Sequence, residues 1–152
     1  MFVVFFPQLI AGPIIKYNYF KNQINLKFIN QFNIDNFIKG FLLFLIGFLK
    51  KVYLANTLSL YVDKGFANIN ELNFITAWIT SFSFTFQFYF DFSAYVDMAL
   101  GCALMMNIIL PKNFNSPLKS FNLIDFWKRW HITLTNFLMN YIYFPILSTK
   151  KE

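Results

Sequence analysis

The chain has 152 residues, of which 57% are hydrophobic and 13% charged, and its formal net charge is +6. That charged share is about half of what a soluble domain carries, and the mean hydropathy is positive, which excludes an ordinary water-soluble globule. The lysines stand beside apolar segments and form no stripe, so the basic excess fits anionic lipid headgroups and not nucleic acid.

Met1–Ile15 contains no charged side chain and is interrupted by Pro7 and by Gly12-Pro13. It is short for a membrane span and reads as an apolar re-entrant or interfacial segment. No basic region precedes it, so it does not read as a cleavable signal peptide. Lys16–Asn36 follows as a polar loop with Lys16, Lys21 and Lys27 among Asn and Gln. The clearest predicted span is 37–54, whose 18 residues would extend about 27 Å as a helix, close to the thickness of a bilayer core. Lys39 near one end and Lys50-Lys51 near the other are expected to snorkel to the interfaces. The denser pair places its end in the cytoplasm.

Residues 72–110 are too long for one straight span, since 39 residues would extend about 58 Å. A helix pair is predicted, with its junction near Asp91–Tyr95. Phe82, Phe84, Phe86, Phe88, Phe90 and Phe92 alternate with other residues at the period of a strand. A lone strand in lipid would leave its edges unpaired, so helix is the better reading. Cys102 lies inside an apolar run and reads as a small buried side chain; a single cysteine permits no internal disulfide. Pro111–Phe121 is a loop. Asn122 then caps an amphipathic helix predicted over 123–141, with Asp125 four residues before Arg129 and a stripe of Phe126, Trp130 and Leu134. Phe144-Pro145 is expected to end it. The predicted fold class is therefore all-α, a polytopic transmembrane helix bundle with an amphipathic or cavity-lining helix near the C-terminus.

One side chain is suited to proton transfer near neutral pH, and it occurs once: His131. In acyl transfer to an alcohol, a neutral imidazole is able to remove the hydroxyl proton as the oxygen attacks. The competing reading is a histidine held by hydrogen bonds inside a bundle. Asp91 and Asp97 are costly in apolar sequence and imply a cavity or partner. Six apart on a helix, they do not form an acid–base couple. No phosphate loop, nucleophile elbow, dinucleotide fingerprint or metal-ligand spacing is present, so no metal is expected.

Four ordered motifs carry a resemblance: FFPQLIAGPI at Phe5–Ile14, FTFQFYFDFSAYVDMALG at Phe84–Gly101, PKNFNSP at Pro111–Pro117 and DFWKRWHITLTNFLMNYIYFPI at Asp125–Ile146. Together they resemble the core of the membrane-bound O-acyltransferases, most closely the bacterial branch of alginate and peptidoglycan O-acetyltransferases and teichoic-acid D-alanyl transferase. The resemblance implies a partial polytopic fold around a tunnel through the cytoplasmic (inner) membrane. It implies an acyl group, acetyl first, taken from a cytoplasmic donor such as acetyl-CoA and delivered to hydroxyls of an exported polysaccharide or to an extracytoplasmic acyltransferase. The donor is a co-substrate, and no bound cofactor is implied. His131 matches the motif histidine after Arg129-Trp130, and Trp127 and Trp130 match aromatics beside it. Asp91, Tyr95, Asp97 and Asn113 match polar positions of the preceding segments and, with Arg129, are candidates to line the tunnel.

Members of the family carry a second histidine further along, the one usually assigned as catalytic, and the sequence to Glu152 does not include it. The chain accordingly reads as a central fragment, inactive alone. The alternative readings are a non-catalytic membrane subunit or remnant, and a small channel component suggested by Asp91 and Asp97.

Overall fold

The computed structural model describes residues 2–24 and 31–149. Every regular element among them is helical, as the all-α expectation requires. In order these are α1 (Tyr17–Ile24), α2 (Ile34–Leu49), α3 (Asn56–Ala67), α4 (Phe74–Met105), α5 (Leu123–Arg129), α6 (Ile132–Leu138) and α7 (Phe144–Thr149). Two π-helical stretches join neighbours without a break, Lys50–Ala55 between α2 and α3 and Met139–Tyr143 between α6 and α7. Among the described residues no helix is by itself long and apolar enough to cross a membrane.

The helix expected at 37–54 is part of a longer run. It starts at Ile34, where Asn33 accepts the Asn36 N–H at 3.0 Å, and passes through the π stretch into α3. Nothing in the chain stops it until Asn68 leaves helical geometry. Lys50 and Lys51 therefore lie in the middle of a helical run and not at its interfacial end. The predicted pair at 72–110 is a single unbroken α4 of 32 residues, about 48 Å long. Asn73 caps its start by accepting the Thr76 N–H at 2.9 Å. A junction was expected where carboxylates interrupt apolar sequence, but a lysine stands opposite each one, so the helix has no need to break. The alternating phenylalanines lie on that helix, where Phe84 stacks on Phe88 and Phe86 on Phe90 four residues apart.

Among its described residues the N-terminal segment holds one 3-10 turn, Phe6–Gln8, and no α-helix. Phe5 and Phe20 pack with Ala103, Ile108 and Leu110 into a buried cluster, which seats this segment and α1 against the end of α4. The expected polar loop at Lys16–Asn36 thus contains α1, while Lys27 lies outside the described residues. The helix predicted over 123–141 is interrupted. α5 ends at Arg129, Trp130 is extended, and His131 is left-handed at φ 42°. Helix then continues past the expected stop through Pro145 to Thr149. Pro145 lies inside this continuous run, directly after the π-helical stretch, and as a proline it supplies no N–H to the helix ladder.

α4 runs antiparallel to the α2–α3 run, with Gly40 facing Gly101, Gly47 facing Ala94 and Gly65 facing Thr80. A Cβ on Gly40 would stand 2.7 Å from the Gly101 carbonyl oxygen, and one on Gly101 would stand 2.6 Å from the Gly40 oxygen. The backbones touch with room only for hydrogen. Small residues at the contact are what let two helix backbones approach this closely.

Candidate functional site

Two polar constellations stand out from the apolar frame. In the first, adjacent lysines on the α2–α3 run meet the two carboxylates of α4. Lys50 Nζ pairs with Asp97 Oδ2, and Lys51 Nζ donates to Asp91 Oδ1 at 2.6 Å. In a regular α-helix, neighbouring residues point about 100° apart. The π stretch that begins at Lys50 winds more slowly, which helps two successive side chains address one partner helix. Asp91 and Asp97 are thereby committed to cation partners across the helix interface.

The second constellation is the break between α5 and α6. Asn122 Oδ1 accepts the Asp125 N–H at 2.7 Å, as the capping pattern predicted, and Asp125 Oδ1 takes the Arg129 Nε–H at 2.8 Å. That hydrogen bond from Arg129 leads in holding the Asp125 carboxyl below its usual range. At the C-terminal end of α5 the loop after α4 straps the chain from the side. The Asn115 N–H donates to the Arg129 carbonyl at 3.0 Å, and the Ile132 N–H donates to the Asn113 carbonyl at 2.9 Å. Asn113 Oδ1 accepts from both the Thr133 N–H, at 3.0 Å, and the Thr133 hydroxyl, at 2.8 Å. Thr133 Oγ1 in turn accepts the Ile14 N–H at 3.0 Å, tying in the N-terminal segment. Asn113 is 1% exposed and Thr133 is buried, so the bonds between them are shielded, although Asn113 Nδ2 has no partner among the described residues.

Between these anchors His131 adopts the left-handed conformation and caps α6, its Nδ1 accepting the Leu134 N–H at 3.2 Å. A non-glycine residue held there carries strain of about 1–2 kcal/mol, sustained by the strap around it. His131 is therefore not a helix-interior residue, and alanine at this position would lose both the cap and conformational ease. The imidazole is half-buried, with its ring 5.1 Å from that of Phe92 and 6.4 Å from that of Phe114. Burial holds its pKa below the ordinary histidine value, partly opposed by a hydrogen bond to its own backbone.

Trp130 is the packing centre of the junction. Its ring contacts those of Phe88, Tyr89, Phe92, Phe114 and Phe126, with centroids between 5.0 and 6.2 Å away. Phe126 stacks on it as the predicted stripe required, whereas the break at His131 separates Leu134 from that stripe. Of the other candidates, Trp127 is exposed, and its carbonyl accepts the Thr135 hydroxyl at 3.2 Å. Tyr95 is half-buried and makes no side-chain hydrogen bond among the described residues. The fold thus gathers His131, Trp130, Asn113 and Arg129 at one junction and engages Asp91 and Asp97 with the lysines.

Sequence reasoning missed Thr133, Phe114 and the roles of Lys50 and Lys51. The lysines had a signal, since two cations and two carboxylates in apolar sequence match in number. Thr133 had none, because its importance comes from a loop twenty residues away.

The model of the membrane-bound O-acyltransferase family matches residues 1–152. Over 146 residues the chain is 50% identical to a peptidoglycan O-acetyltransferase of Helicobacter pylori, covering 96% of this chain and 28% of that protein. It is 41% identical over 145 residues to a protein of Pseudomonas aeruginosa named probable alginate O-acetylase, covering 95% and 27%. A teichoic acid D-alanyltransferase of Bacillus subtilis is 29% identical over 153 residues, covering 99% and 39%. The chain spans less than a third of the length of the two O-acetyl-transferring relatives.

Proposed function

The chain belongs to the membrane-bound O-acyltransferase family, and we propose that it forms the part of such an enzyme that holds the motif histidine against the path of a transferred acyl group. In this reading the acyl group is acetyl, drawn from a cytoplasmic donor such as acetyl-CoA. It crosses the inner membrane to hydroxyls of an exported cell-envelope polysaccharide, directly or through an extracytoplasmic acyltransferase. The names of the relatives, which speak of peptidoglycan and alginate, support this class of acceptor.

The observation that carries the proposal is the setting of His131. Three backbone segments converge on its junction, Trp130 is packed on several sides, and among the described residues the imidazole bonds no other residue than Leu134. A histidine serving packing alone would not need a left-handed backbone sustained by a buried asparagine. Asn113 acts as a positioning residue through Ile132 and Thr133, and Arg129 through its carbonyl, which accepts the Asn115 N–H.

The proposed multi-pass placement rests on the outward surface. Phe74, Ile75, Trp78, Ile79, Phe82 and Phe86 are all exposed along α4, a continuous apolar face that water would not tolerate. The α2–α3 run and α4 are each long enough in rise to reach across a bilayer. Their charges at mid-length are paired with one another, as charges in lipid must be.

The reading is tested on the chain itself. Purified in detergent and supplied with acetyl-CoA and a polysaccharide acceptor, the 152-residue chain is expected to give no donor-dependent transfer. Transfer that His131→Ala abolishes would contradict the proposal that the chemistry requires the remainder of a longer enzyme.

A further inference from the structure

The hydrogen bonds at the start of α6 determine which nitrogen of His131 carries the proton. A helix start leaves its leading amides without intrahelical acceptors. Here Asn113 takes two of them through its carbonyl and Oδ1, from Ile132 and Thr133. The third, Leu134 N–H, goes to His131 Nδ1 at 3.2 Å. An N–H donor requires a lone pair, so Nδ1 is unprotonated, and a neutral imidazole then bears its single hydrogen on Nε2. Turning the ring over would set a C–H against Leu134 and leave that amide without a partner. A hydrogen on Nδ1 would set two N–H groups against each other. The imidazolium is disfavoured on the same ground, and burial lowers the pKa in the same direction. Apart from a contact of the ring with its own backbone, which burial outweighs, the imidazole makes no other hydrogen bond among the described residues, and it lies beside the rings of Phe92 and Phe114.

A base acting at Nε2 would need a lone pair there, and this tautomer has none. We propose that His131 serves acyl transfer as a hydrogen-bond donor, its Nε2–H addressing the acyl carbonyl oxygen, and not as the general base. This role rests on the acyl-transfer reading above. As the hydroxyl oxygen bonds to the acyl carbon, the carbonyl π pair moves onto oxygen, and Nε2–H stabilises the growing charge. Collapse of the adduct restores the carbonyl and expels the donor's leaving group with the bonding pair. The hydroxyl's proton ends on that leaving group, carried by a second basic group, while the Nε2 proton stays in place throughout.

The chain contains one histidine, so imidazole signals from ¹⁵N-labelled protein in lipid nanodiscs are unambiguous. The expected spectrum above about pH 6.5, the ordinary histidine value, is that of a fixed tautomer with Nε2 protonated and Nδ1 bare. A protonated Nδ1, or the averaged pattern of a free imidazole in protein whose Leu134 amide resists exchange, would overturn the proposal.

A second measurement uses the chain grafted in place of the matching segment of the Helicobacter pylori relative. His131→Asn supplies a cap acceptor and tolerates the left-handed backbone, but has no donor at the reach of Nε2. His131→Gln restores an N–H near that place and loses the cap. At equal membrane abundance, His131→Asn is expected to lower O-acetylation by about 10²–10³-fold and His131→Gln by clearly less. Equal losses in both, or a smaller loss in the Asn variant, would overturn the donor role. A graft that folds with Nε2 protonated yet transfers no acetyl would overturn the acyl-transfer reading and leave the tautomer standing.

Discussion

Lys51 Nζ lies 2.6 Å from Asp91 Oδ1, across the interface between the α2–α3 run and α4. With the neighbouring Lys50–Asp97 pair, it neutralises charges that would otherwise be stranded in apolar sequence. Removing one partner leaves the other without compensation, whereas removing both need not be costly. Lys51→Met and Asp91→Leu are each expected to lower the detergent melting temperature, and the double variant to recover most of the loss. A double-mutant cycle should show coupling of about 0.5–3 kcal/mol. Strictly additive losses would show that the pair contributes nothing.

The contact between Gly40 and Gly101 leaves no space for a side chain. A Cβ on Gly101 would meet the Gly40 carbonyl oxygen at 2.6 Å and the Phe44 backbone nitrogen at 2.7 Å. Both obstacles are backbone, so the helices themselves must move apart. Gly101→Ala is expected to cost about 1–3 kcal/mol, the range for overpacking, although alanine is the better helix former. Ser81→Ala, at an exposed position of the same helix, is the control and should change little. Denaturant titration in detergent reads both, and equal stabilities would contradict the close packing.

Asn113 holds Thr133 through two hydrogen bonds and is itself shielded from solvent. Asn113→Ala strands the Thr133 amide and hydroxyl, at a cost of about 1–3 kcal/mol for each buried group left unsatisfied. Hydrogen exchange at Thr133 is expected to accelerate, and with it exchange at Leu134 as the His131 cap loosens. Unchanged protection would show that the strap does not hold the junction.

The pH dependence follows from the direction of the His131 shift. Burial lowers the folded value, so between that value and the ordinary one, about 6.5, the unfolded chain binds more protons. Stability therefore rises with pH through this window. The contribution is complete above about 6.5 and is lost as pH falls through the window. Melting curves from pH 8 down to 5 should show a decline that His131→Asn removes. A decline of the same size in that variant would assign it to other groups.

Much of the fold was legible because it depends on local chemistry. Asn122 capped α5 and Asp125 met Arg129 as their spacing required, and the phenylalanine run folded as helix, which satisfies within one segment the backbone groups a lone strand would leave unpaired. The errors came from partners distant in sequence. Asp91 suggested a break in α4 until Lys51 was found opposite it, and Lys50-Lys51 suggested a helix end for the same reason. The segment 123–141 carried an unbroken helical pattern, and the break at His131 is imposed from outside by Asn113. That residue was visible as a candidate in its loop, but its task was not, because a strap between position 113 and position 133 leaves no mark in either local pattern.

The central claim, that this chain supplies a working acyl-transfer core, is tested most directly by the graft into the Helicobacter pylori peptidoglycan O-acetyltransferase, with which it shares 50% identity over 146 residues. The graft replaces the matching segment in cells lacking their own enzyme, and O-acetyl groups per unit of peptidoglycan are measured against the amount of graft in the membrane. Restored O-acetylation that falls by about 10²–10³-fold when His131 becomes Asn is the predicted result. A graft that accumulates in the membrane without restoring O-acetylation, or that restores it equally with Asn at position 131, would contradict the account.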